Sequence, residues 1–167
     1  MKHLSALIVA LAISTPALAD LQVRFDEGAP KDRFTISNLG DCDVGATVVS
    51  IDLSGSPYGL IFDTTGSGAG VQVFQPFELT AGKDKLASIP VVKDGQNEIT
   101  LDLLGLKPQE TVSFTIDVDD TVNNREITVA DAEIVGARVV AKNDQGTTEA
   151  SFQQDATATL QSLGCAG

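Results

Sequence analysis

Apolar and polar side chains alternate with a period of two along most of the chain after residue 20. Leu21, Val23 and Phe25 are separated by Gln22 and Arg24, Phe34 and Ile36 by Thr35, and Val49, Ile51 and Leu53 by Ser50 and Asp52. The period returns at Ile99, Leu101 and Leu103, at Val112, Phe114, Ile116 and Val118, at Ile127 and Val129, and at Ala156, Ala158 and Leu160. Side chains on a strand point alternately to its two faces, so these runs predict half-buried antiparallel strands. Turn-forming clusters lie between them, among them Gly28-Ala29-Pro30, Ser54-Gly55-Ser56-Pro57, Lys93-Asp94-Gly95 and Asn143-Asp144-Gln145-Gly146. No stretch sustains a helical period. The pattern predicts one all-β domain, an antiparallel sandwich of about eight to ten strands, with a closed barrel as the competing architecture.

The N-terminus departs from this pattern. Lys2 and His3 precede an apolar run from Leu4 to Ile13, and Ala17-Leu18-Ala19 stands ahead of Asp20. That is the layout of a secretory signal peptide over residues 1–19, cleaved to leave a domain from 20 to 167. The run is far short of the roughly 20 apolar residues that span a bilayer, so membrane insertion is not expected. A secreted or periplasmic location follows. It bears on Cys42 and Cys165, the two cysteines of the chain, because in an oxidising compartment such a pair is expected to form a disulfide, two free buried thiols being the alternative.

Composition narrows the chemistry. The single histidine, His3, lies in the leader, so the domain lacks the usual base of Ser-His-Asp and Cys-His catalysis and the imidazole ligands of zinc and copper sites. Tryptophan is absent and Tyr58 is the only tyrosine, which leaves little aromatic surface for stacking a sugar. The net charge of −12 disfavours nucleic acid and anionic membranes as partners and favours divalent cations. No catalytic activity is expected. Two classes of function stay open: an extracellular module for adhesion, matrix or surface assembly, and a module binding an envelope ligand or polysaccharide.

The segment Leu104-Gly-Leu-Lys-Pro-Gln-Glu-Thr-Val-Ser-Phe-Thr-Ile has the look of a corner in extracellular immunoglobulin-like domains, where a strand ends in Leu, a Pro turn follows and a new strand opens with Thr-Val-x-Phe. With Val23-Arg-Phe-Asp-Glu-Gly-Ala-Pro-Lys-Asp-Arg-Phe-Thr-Ile, Gly59-Leu-Ile-Phe-Asp-Thr, Gly70-Val-Gln-Val-Phe-Gln-Pro-Phe, Phe114-Thr-Ile-Asp-Val-Asp-Asp-Thr and Arg125-Glu-Ile-Thr-Val, the chain resembles small secreted bacterial proteins that are similar to the core of the sponge aggregation factor. The resemblance spans Leu21 to about Val140. It implies an extracellular adhesion or matrix role with a protein or polysaccharide partner, self-association included, and a dependence on calcium.

One stretch, Thr115-Ile-Asp-Val-Asp-Asp-Thr-Val-Asn-Asn-Arg-Glu126, concentrates acidic residues. Alternation sends Asp117 and Asp119 to the face opposite Ile116 and Val118, and a short connection would bring Glu126 back beside them. Asp117, Asp119, Asp120 and Glu126, with Asn123 or Asn124, could supply the six to eight oxygens that calcium takes. The EF-hand pattern fails, with Val122 at the turn-glycine position and Thr128 at the bidentate one. A solvated acidic hairpin that repels edge-to-edge pairing accounts for the same residues. A second acidic group, Asp26, Glu27 and Asp32, is interspersed with Lys31 and Arg33, and either contributes to a site at one end of the domain or forms an ordinary turn with local ion pairs.

Overall fold

A computed structural model of the chain describes residues 20–70, 73–122, 129–161 and 163–166. The expected leader, 1–19, lies outside them. The described residues are all-β, with ten strands: β1 (Leu21–Asp26), β2 (Asp32–Asn38), β3 (Thr47–Asp52), β4 (Ile61–Asp63), β5 (Glu78–Ala81), β6 (Glu98–Leu103), β7 (Thr111–Asp119), β8 (Arg138–Asn143), β9 (Gly146–Ser151) and β10 (Thr157–Leu160). One sheet runs β10-β1-β2-β7-β4, with β5 also paired to β7, and the other runs β6-β3-β8-β9. Every pairing between these strands is antiparallel. Among the described residues no helix is long and apolar enough to cross a membrane.

The alternating apolar positions of both sheets meet in one hydrophobic cluster. Phe34 lies at its aromatic centre, with ring centroids 5.1 Å from Phe25, 5.2 Å from Phe114 and 6.4 Å from Phe62 and Phe152. Tilted, offset and edge contacts of this kind match positive ring edges to negative faces. The aromatic centre ties β1, β2, β4 and β7 to Phe152, which follows β9.

Strand β7 differs from its neighbours in being buried along almost its whole length. Only Thr111 is exposed, and the residues between Val112, Phe114, Ile116 and Val118 are buried too. Its N-terminal half is flanked by β2 and β5 and its last three residues pair with β4. Ser113 on its second face bonds to its neighbours: its hydroxyl donates to the Phe34 carbonyl (3.1 Å) and lies 3.2 Å from Thr35 Oγ1. The second face of a core strand is therefore a second, polar interior.

Away from this polar interior, the chain is closed by a disulfide between Cys42, in the loop after β2, and Cys165 near the C-terminus. Asn38 organises that loop. Fully buried, it donates through Nδ2 to the carbonyls of Cys42 (2.9 Å) and Leu106 (3.0 Å) and accepts the Gly40 amide on Oδ1 (2.9 Å). Asn38→Ala is expected to lower the unfolding free energy by about 2–3 kcal/mol, because buried backbone groups lose their partners. Urea titration checks this, and a loss under about 1 kcal/mol would mean that water replaces the amide at no cost.

Candidate metal centre

Asp63 closes β4 and pairs in register with Asp117 of β7. Directly opposed residues of an antiparallel pair present their side chains to the same face, and Asp119 rejoins that face two residues on. The consequence is three carboxylates in one place, each offering an oxygen within 4.8 Å of the others. Asp63 is 0% exposed, Asp117 and Asp119 1% each.

The segment between β4 and β5 shields this group. A hydrogen replaced by Cβ at Gly70 would overlap the carboxylates of Asp63 and Asp119, so the main chain at Gly70 lies directly against the cluster. The segment is held from its other side by Asp94, whose carboxylate accepts the amides of Thr64 (2.9 Å), Thr65 (3.0 Å) and Ala69 (2.8 Å). Gln75 then returns the chain to β7, its amide donating to the Asp63 carbonyl (3.3 Å) and its carbonyl accepting the Asp117 amide (3.0 Å). Asp32, at the start of β2, approaches from another side. It accepts the amides of Gly28 and Val118, both at 2.8 Å.

Burial and mutual repulsion set the electrostatics. Desolvation first, then Asp119, Asp32 and Asp63, push the Asp117 carboxyl up to about 8. Desolvation, with the adjoining Asp94 and Asp119, raises Asp63 to about 6. Asp32 rises to about 7 through desolvation, against the two amides that favour its charge. Asp94 goes the other way, down to about 2, because the Thr64 and Ala69 amides stabilise its anion. Among the described residues no hydrogen bond reaches either oxygen of Asp63 or Oδ2 of Asp117. Asp94 cannot repair this while ionised, since a carboxylate only accepts. A buried anion without a partner is strongly unfavourable, so the group must hold protons or a cation.

The donor set suits a hard cation. Carboxylate oxygens favour calcium, magnesium or manganese over metals that select imidazole or thiolate. Magnesium dehydrates reluctantly and keeps several waters, so closely shielded protein oxygens fit calcium better. Asp63, Asp117 and Asp119 would hold the ion, and the ion would supply the positive charge that this interior lacks.

Of the residues expected from sequence to bind a cation, Asp117 and Asp119 meet here. They are interior groups, which removes them from the solvated-hairpin alternative. Asp120 is buried, 5% exposed, but lies outside the group of three. Glu126, with Asn123 and Asn124, lies outside the described residues. Asp63 was not foreseen. The signal for it is slight: a lone acid closing Leu60-Ile61-Phe62, ahead of the Gly-rich run from Thr64. In the second acidic group the members separate. Asp26 pairs with exposed Arg24 (2.6 Å), Glu27 exchanges hydrogen bonds with the 131 turn, and Asp32 alone faces the cluster's field. Compared with family models, with curated proteins and with solved structures, the chain matches none.

Proposed function

We propose that the protein is an exported, non-catalytic β-sandwich of immunoglobulin-like type that serves in extracellular adhesion, matrix or surface assembly and is stabilised by a bound calcium ion. The observation that carries this is the buried group Asp63, Asp117 and Asp119, in which, among the described residues, both oxygens of Asp63 and Oδ2 of Asp117 lack a hydrogen-bond partner. Such a group is a liability in a compartment poor in calcium. In millimolar extracellular calcium, sites with a Kd of about 10⁻⁴–10⁻³ M are filled. The Cys42–Cys165 bond and the leader-like N-terminus support export. Two sheets sharing one core support the sandwich. The lack of imidazole beyond residue 3 supports a role without catalysis.

Beads coated with the domain are expected to cluster in ~10 mM calcium, a concentration above the Kd range of such sites, and to disperse on chelation. Fractionation of producing cells should find the protein in the medium or on the surface. Beads that never cluster, with the protein held wholly in the periplasm, would overturn the adhesion reading. A second reading, a ligand-binding module, is favoured by an open depression of about 650 Å³ whose lining combines Val48, Leu103 and Leu104 with Asp102, Lys142 and Asn143. Saturable binding of a soluble oligosaccharide or apolar ligand there, without bead clustering, would select it.

A further inference from the structure

We propose that calcium at Asp63, Asp117 and Asp119 acts as a latch that fastens residues 64–70 onto β7, so that this crossing is closed in calcium and opens when calcium is withdrawn. The inference rests on the cation reading above and adds a conformational consequence to it.

The geometry concentrates the effect in one segment. β4 contributes only three residues, Ile61–Asp63, to its pairing with β7, and its last residue is itself a member of the carboxylate group. The chain then crosses the group and touches it at Gly70. On the far side the crossing has its own anchor, the three amides received by Asp94. On the near side it meets both oxygens of Asp63 and Oδ2 of Asp117, which lack donors among the described residues. A cation there joins β4 to β7 and turns repulsion beneath the crossing into attraction. Without it the crossing keeps its Asp94 anchor beside a strand pair of only three residues. Segments with few stabilising contacts open at low free energy, and a ligand that binds only the closed form suppresses the opening in proportion to 1 + [Ca]/Kd.

The test is amide hydrogen exchange on the full domain with calcium, magnesium or chelator at matched ionic strength, with calorimetric titration of each metal. At ~10 mM calcium and a Kd of about 10⁻⁴–10⁻³ M, exchange of Thr64, Thr65 and Ala69 is expected to slow about 10–100-fold, and magnesium to do less. Gly70→Ala places a methyl group against Asp63 and Asp119 without altering charge, and should weaken calcium binding at least tenfold. Asp63→Asn keeps the shape, should fold, and should abolish both binding and the protection. If no divalent ion binds the wild-type domain, the latch and the cation reading fall together. If calcium binds and the exchange of 64–70 does not change, the latch is wrong and the cation site stands.

Discussion

Cys42→Ser with Cys165→Ser is expected to lower the unfolding free energy by roughly 4–5 kcal/mol. The bond joins residues 123 apart in sequence, and a cross-link over so long a loop removes much of the conformational entropy of the unfolded chain. The native ends are already held. Asn38 fixes the Cys42 carbonyl, the Ala166 amide donates to the Asp43 carbonyl (2.8 Å), and Gln145 Nε2 donates to the Cys165 carbonyl (2.9 Å). The serine variant should therefore keep its fold and lose stability through its unfolded state. Urea titration at fixed calcium would show a lower midpoint, and wild-type protein under reductant should move to the same place. A loss under about 1 kcal/mol would mean that the unfolded chain keeps the two ends together without the bond.

How far the fold could be read beforehand depended on strand length and on which faces are covered. β1, β2, β3, β6, β7 and β10 each carry two or more alternating apolar residues and were visible as strands. β4, only Ile61–Asp63, is too short to show a period, and β5 and β9 lie at sheet margins where Glu78, Thr80, Thr147 and Glu149 replace the apolar repeat. The same distinction governs the site. Asp117 and Asp119 could be assigned to one face because their spacing is local. Asp63 could not, because its position opposite Asp117 is a matter of register between strands far apart in the chain. Their burial was equally hidden. A carboxylate on the second face of a strand reads as solvated until a crossing such as 64–70 covers it, and that cover is set by tertiary structure alone.

Metal-free protein is expected to become less stable as pH rises from 5 to 8, and calcium to remove most of that loss. Asp117, Asp32 and Asp63 titrate near 8, 7 and 6 in the fold, against about 3.9 for an unfolded aspartate. A carboxyl whose folded value is raised holds its proton more tightly in the native state. Its stability contribution is complete below the unfolded value, near pH 4, and is lost as pH climbs through the folded values of 6 to 8. Asp94 has the opposite sign. With a folded value of about 2, it stabilises above pH 4 and fails only in stronger acid, which places the metal-free optimum at about pH 4–5. One proton retained by the native state across three pH units amounts to about 4 kcal/mol, and the cluster shares its protons, so the three groups do not simply add. General repulsion in a chain of net charge −12 acts in the same direction, but it is screened by salt and the buried cluster is not. Asp117→Asn separates the two. Its neutral amide should raise metal-free stability at pH 8, flatten the slope between pH 5 and 8 and eliminate the calcium effect. Thermal unfolding at three pH values in 0.5 M salt, with calcium or chelator, decides the matter. If the variant keeps the wild-type slope, the carboxylates of β4 and β7 are not its source, and ordinary surface repulsion is.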